Sequence, residues 1–232
     1  HGQTIKHSPF GKEPFSLQIG NPELIKELTQ IKTISNFRKA DIDAGGQGAP
    51  LAPLFHKEIF NSKENKTAVI NIGGISNVTF LNIKDRKVFG YDIGPGNCLM
   101  DTWIRETKNL DFDNKGLWAQ EGSNIPELVE LMLKDKFFNQ AHPKSTGPDY
   151  FNLQWLNEKI LSLKSVPKNE DIQASLLELT AEIINLELRK YLNSISKIFV
   201  CGGGIHNSFL MSTIEKKIEK QILSSLELGV DP

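Results

Sequence analysis

Asp92 stands where an apolar run gives way to the turn Gly94-Pro95-Gly96-Asn97. A carboxylate at the end of a strand is held on a rigid edge and faces whatever the next loop encloses, which suits a general base. The same position also suits an Asx turn, in which the side chain bonds only nearby backbone. Asp41 and Asp43 flank a second polar loop, Gly45-Gly46-Gln47-Gly48-Ala49-Pro50. In an extended chain they point to one side and are placed to orient a polyol, to bind magnesium or to cap the turn. Glycine turns follow apolar runs at Asn71-Ile72-Gly73-Gly74-Ile75-Ser76-Asn77, at Gly94 to Asn97 and at Gly202-Gly203-Gly204-Ile205-His206-Asn207. A residue without Cβ lets backbone N–H groups come close to phosphate oxygens. A single Gly-Gly turn is ordinarily a hairpin, but three behind apolar strands favour a polyphosphate ligand. None has the Gly-Lys-Ser/Thr of a Walker loop, and Asn207 stands where a dinucleotide fingerprint needs its third glycine. Lys144-Ser145-Thr146-Gly147 reads equally as a phosphate or sugar contact and as a plain loop. His206 reads as solvated at a helix start, and Trp103, Trp118 and Trp155 as core or interface.

The elements that must position these residues can be read from caps and periodicity. Asn21-Pro22-Glu23 supplies an N-cap, a first-turn proline and a first-turn acid, predicting a helix to about Ile31. Thr33 to Lys39 leads into the Asp41 loop, and Leu51 to Phe60 reads as helix. Strands are expected at 68–72, 77–81 and 87–91, the first two as a hairpin with exposed backbone at its tip. A helix is expected from about Leu99 to Lys108. Further helices fall near 125–135, 150–163 and 171–191, the last with Ile172, Leu176, Leu179 and Ile183 as one core stripe. Lys197 to Cys201 is a short buried strand, followed by a helix through Lys220. Strand-to-helix glycine turns mixed with hairpins indicate an α/β fold.

Composition removes several classes of function. Across 232 residues, 27 Lys and Arg nearly balance 28 Asp and Glu. That balance gives no electrostatic footprint for nucleic acid and no polybasic membrane patch. The longest apolar runs, such as Thr67 to Ile72, fall far short of a membrane span. Cys98 and Cys201 are too few for a disulfide framework or a zinc site and read as small buried residues, so a reducing, cytoplasmic setting is expected. The start at His1-Gly2-Gln3-Thr4 is polar, unlike a signal peptide. It and the end at Gly229-Val230-Asp231-Pro232 both read as cuts.

Taken together the motifs resemble one family. His1-Gly2-Gln3-Thr4, Asn36-Phe37-Arg38 with Ala40-Asp41, Gly45 to Pro50 and Asn71 to Ile75 are similar to anhydro-N-acetylmuramic acid kinases. So are Asp92 with Gly94 to Asn97 and Asp101, Lys144 to Gly147 with Phe151-Asn152, and Cys201 to Gly204 with Asn207. The match runs in order from end to end.

The resemblance implies an actin/hexokinase/Hsp70-like ATPase fold of ribonuclease H-like domains, with the active site in the cleft between them. Residues 1–66 would be the remainder of an incomplete N-terminal domain and 67–232 an ATPase-like domain with a helical part, truncated at its end. Such enzymes open the 1,6-anhydro ring with water and phosphorylate O6, using ATP and magnesium, in bacterial cell-wall recycling. Asp92 takes the place of the family's base. Asn71, Gly73 and Gly74 correspond to the second phosphate loop. Gly94, Gly96 and Asn97, in the turn after the base, are expected nucleotide or phosphate contacts, as are Gly202, Gly203, Gly204 and Asn207 of the adenosine loop. His1, Gln3, Asp41, Gly46, Gln47 and Lys144 are the expected sugar or phosphate contacts, and no metal ligand is assigned. The expected partners are an amino sugar and ATP, with no nucleic acid or membrane, and a homodimer formed through the helical part. Two departures stand out. The family's first phosphate loop, Gly-Thr-Ser-Met-Asp-Gly, is absent, and Ile93 replaces a more usual Thr. The absent loop implies a chain without turnover by itself, and leaves a nucleotide-binding module or a non-catalytic scaffold of the same fold as the alternative.

Overall fold

A computed structural model describes residues 4–9, 11–60, 65–83 and 86–230, with backbone only at 86 and 87. The chain packs as two units, His1–Leu51 and Ala52–Pro232. The first holds an antiparallel pair, β1 (Thr4–Ser8) and β2 (Phe15–Gln18), then α1 (Pro22–Thr29) and α2 (Phe37–Asp43). Asn21 caps α1 as its sequence demands, its side chain accepting the Leu24 N–H at 3.0 Å. The helix stops short of Ile31 because Gln30 turns left-handed, with φ of 56°. α2 takes in the stretch read as lead-in and loop, so Asp41 and Asp43 sit on a helix. Residues two apart on a helix diverge, so these two carboxylates do not share a side.

The second unit is built on one sheet. It contains α3 (Ala52–Phe60), β3 (Thr67–Ile72), β4 (Ile75–Ile83), β5 (Arg86–Pro95), α4 (Cys98–Lys108), α5 (Leu117–Glu121), α6 (Pro126–Leu133) and α7 (Leu153–Ile160). α8 (Asn169–Arg189), β6 (Lys197–Cys201), α9 (Ser208–Ile218) and β7 (Leu223–Ser224) follow. Strand order is β5-β4-β3-β6-β7. β3, β4 and β5 form an antiparallel meander, while β6 and β7 run parallel to β3. β3 is apolar without alternation because it is covered on both faces. Ala68, Ile70, Ile72, Val78, Phe80, Tyr91, Ile198 and Val200 join the large core formed with the helices. Val69, Leu81 and Phe199 form a smaller core with Phe60 of α3 on the other face. The expected stripe of α8, Ile172, Leu176, Leu179 and Ile183, is fully buried in the large core.

Candidate active site

The glycine turns of the second unit meet at one end of its sheet. β3 and β4 are joined by Gly73-Gly74, and the chain leaving β5 folds back onto that turn. The N–H groups of Gly96 and Cys98 donate to the Gly74 carbonyl at 2.9 and 3.1 Å, and that of Asn97 donates to Gly73 at 2.8 Å. The Asn97 amide adds a bond to the Ile72 carbonyl at 3.2 Å. Gly96 has to be glycine, because a Cβ there would overlap the Gly73 carbonyl oxygen and lie 2.7 Å from Ser76 Oγ. At the end of β6, Gly202 turns with φ of 82° and starts the short helical turn Gly203–His206. A Cβ on Gly203 would meet no atom within 4 Å, so its backbone is open.

Asp92 lies just before the clasp. The β4–β5 register passes from Ser76–Gly94 to Asn77–Asp92 and skips Ile93, so a bulge sits at the position where the sequence departs from the family pattern. Bulges re-aim side chains. Asp92 is only 5% exposed. Its N–H donates to the Lys144 carbonyl at 3.1 Å, and its Oδ2 accepts the Thr146 N–H at 3.0 Å. The 144–146 segment therefore runs along the free edge of β5, holding the Asp92 backbone by one bond and its carboxylate by the other. Lys144 itself points inward. Its ammonium is buried against the Phe137 ring and pairs with Glu187 of α8 at 3.7 Å. Burial holds its pKa below the ordinary lysine value, against the pull of Glu187 and Asp92. Glu187 also accepts the Tyr91 hydroxyl at 3.0 Å and Lys190 Nζ at 2.5 Å.

Gly203, Asn207 and Asn97 open on a cavity of about 580 Å³. Met100, Phe112, Lys115 and His206 also line it, an apolar pocket with polar edges. Asp101, in the first turn of α4, is in the same wall. Burial pushes its carboxyl up to about 6, opposed by Arg105 and assisted by Asp113. Asn207 has a structural task too, since its Oδ1 accepts the Leu210 N–H at 3.0 Å and caps α9. Sequence reasoning missed the turn Asp113–Gly116. Its signal was an Asp-Asn-Lys-Gly run whose last two residues are left-handed, with φ of 58° and 74°.

In the first unit, Asp41 organises its own glycine loop. Its Oδ2 accepts the Gly48 N–H at 2.7 Å, and its carbonyl accepts the Gly46 N–H at 2.8 Å. Arg38 donates to the Gly48 carbonyl at 2.8 Å. Gln47 follows Gly46 in that loop. His1 and Gln3 lie outside the described residues.

A family model described as anhydro-N-acetylmuramic acid kinase matches residues 1–232. An anhydro-N-acetylmuramic acid kinase of Pseudomonas syringae pv. tomato is 45% identical over 233 aligned residues, covering 100% of this chain and 63% of the relative. One from Legionella pneumophila strain Corby is 44% identical with the same coverage of 100% and 63%. The chain thus spans 63% of the length of these relatives. Among solved structures, it is similar to an activator of 2-hydroxyisocaproyl-CoA dehydratase from Clostridium difficile with bound ADPNP. That likeness has a TM-score of 0.46 at 16% identity, over 75% of this chain and 59% of that one. The xylulose kinase of Rhodospirillum rubrum aligns with a TM-score of 0.45 at 12% identity, over 74% of this chain and 38% of that one.

Proposed function

We propose, from the premise that this chain belongs to the anhydro-N-acetylmuramic acid kinase family, that its second unit carries the base and the nucleotide cradle of a sugar kinase. The reaction is opening of the 1,6-anhydro ring by water with phosphorylation of O6 by ATP, giving N-acetylmuramic acid 6-phosphate in cell-wall recycling. The observation that supports this most is the setting of Asp92. A buried carboxylate, held at a strand bulge by the backbone of 144–146, stands beside the clasp of glycine turns. Asp92 takes the proton of the attacking water, and the oxygen freed at O6 is the phosphoryl acceptor. Gly73 and Gly74 supply close backbone to the phosphates, in a turn braced by the Gly96 and Asn97 N–H groups. The cavity beyond Gly203 takes the adenosine, with Phe112 and Met100 for the flat faces of the base and Asn207 and His206 for polar edges.

Magnesium would neutralise charge on the transferring phosphate. Among the described residues no three Asp, Glu, His or Cys side chains converge. Magnesium is commonly held by substrate phosphates, waters and one or two carboxylates, so it does not require such a cluster. The same reading assigns residues 1–66 to the remainder of an N-terminal domain and 67–232 to the ATPase-like domain. It makes the enzyme a cytoplasmic homodimer formed through the helical part. Among the described residues no helix is long and apolar enough to cross a membrane.

The test is Asp92→Asn, with turnover measured on the chain completed to the length of its relatives. The variant is expected to keep affinity for ATP and anhydro-sugar while losing turnover by about 10³–10⁴-fold, since positioned proton transfer is lost. Turnover within a few-fold of normal would remove Asp92 from the mechanism.

A further inference from the structure

The strand register lines up four polar side chains in one row across the sheet. Asp92 faces Asn77, Asn77 faces Asn71, and Asn71 faces Cys201. Opposed residues share a face, and this row continues the face that holds Val69, Leu81 and Phe199 beneath α3. Two of the four, Asp92 and Cys201, have polar partners within the chain, and the Asn71 side chain is packed against Gly202. Asp92 accepts the Thr146 N–H. The Asn71 carboxamide fills the space where Gly202 would otherwise carry a Cβ. Cys201 Sγ lies 3.7 Å from His56 Nε2.

Asn77 is different. It is 7% exposed, and among the described residues its buried Oδ1 has no hydrogen-bond partner. Ser145 Oγ, between the two backbone groups that hold Asp92, is buried and unpartnered in the same way. A buried amide oxygen left without a donor costs about 1–3 kcal/mol, and native structures nearly always supply one. The donor expected here comes from outside the chain, next to the proposed base.

We propose that Asn77 Oδ1 and the Asp92 carboxylate together hold the attacking water, a role that rests on the reaction assigned above. Opposed residues of an antiparallel pair carry their Cβ atoms about 4.5–5.5 Å apart. One water bridging two acceptors through bonds of about 2.8 Å spans roughly 4.5 Å. With both its hydrogens turned to the protein, the water presents a lone pair to the anomeric carbon. The new bond joins the water oxygen to that carbon, and the bond from the carbon to the bridging oxygen breaks. The released electron pair stays on O6, which takes the phosphoryl group from the nucleoside triphosphate, while the water proton passes to Asp92. An amide suits the second place because it accepts a hydrogen bond without charge. A second carboxylate there would raise the pKa of the base.

The experiment compares Asn77→Leu, Asn77→Asp and Asp92→Asn in the chain completed to its relatives' length. Asn77→Leu removes a buried amide oxygen that has no partner among the described residues, a change expected to be nearly neutral or stabilising. Asn77→Leu is therefore expected to melt at or above the parent temperature and keep its ATP affinity, with kcat lower by about 10²-fold and KM little changed. Asn77→Asp is expected to move the acid limb of the kcat/KM profile up by about one pH unit. Turnover of Asn77→Leu within threefold of normal, with Asp92→Asn inactive, overturns the role of Asn77 and leaves the reaction standing. An active Asp92→Asn overturns the reaction assignment itself, and the role of Asn77 with it. Joint loss of turnover and melting temperature in Asn77→Leu, with the pH profile of Asn77→Asp unmoved, overturns the proposal in favour of a structural role.

Discussion

Gly96→Ala would drive a methyl group into the clasp between the two glycine turns. The added carbon would overlap the Gly73 carbonyl and sit 2.7 Å from Ser76 Oγ, where ordinary contact begins near 3.4 Å. Neither neighbour moves freely, since Gly73 directly follows the central strand β3 and Ser76 is fully buried at the start of β4. The turns must separate by about 1 Å, which stretches the three backbone bonds of 2.8–3.1 Å beyond useful length. At about 1 kcal/mol each, with about 1 kcal/mol or more for overpacking, the cost is about 3–5 kcal/mol. For a domain of this size that corresponds to a fall in Tm of about 6–20 °C. Gly203→Ala is the internal control. Its methyl group meets no atom within 4 Å, so stability should change by no more than about 0.5 kcal/mol. Affinity for ATP should nevertheless fall about tenfold or more, and further in Gly203→Val, because a side chain would occupy the approach to the cavity. Thermal melting with and without ATP, together with ATP titration, reads both effects. A Gly96→Ala protein melting within 2 °C of the parent would refute the clasp. Unchanged ATP affinity in Gly203→Ala and Gly203→Val would show that this backbone does not face the nucleotide.

Two further expectations concern buried charge. Lys144→Met leaves Glu187 buried without its interior cation and should cost about 3 kcal/mol in urea denaturation. Adding Glu187→Gln should cost clearly less than the sum of the single changes, and strict additivity would dissolve the pair. Asp101 has a folded pKa of about 6, above its unfolded value of 3.8, so the folded state prefers it protonated. The stabilising preference is present below pH 4 and is lost as pH rises through 6. Asp101→Asn, which mimics the protonated form, should therefore raise Tm at pH 7.5 and have little effect at pH 4. An equal gain at both would trace the effect to something other than that carboxyl.

The α/β class and the main-sheet strands were legible because β3 and β6 are short apolar runs ending in glycine turns, and α8 carries a clean core stripe. The family was legible from its polar motifs, since Gly-Gly-Gln-Gly-Ala-Pro and Gly-Pro-Gly-Asn are unlikely to recur together by chance. The hairpin β1–β2 was not legible, because its alternation is weak and its residues are at most half-buried. Helix α2 was hidden by the glycine loop beyond it. Lys144, beside Ser-Thr-Gly, has the local signature of a surface cation, and the partner that draws it inward is on α8, remote in sequence. The same limit governs the row Asp92–Asn77–Asn71–Cys201. Each residue belongs to a separate strand, and a shift of one residue in any pairing would turn its side chain to the other face. Motif spacing along the chain could place Asp92 at the end of a strand. Only the register, with the bulge at Ile93, places opposite it an amide whose oxygen has no partner among the described residues. The chemistry proposed for that pair therefore depends on the bulge as much as on the two residues. A change that removed it would leave both side chains in the sequence and turn one of them away from the water.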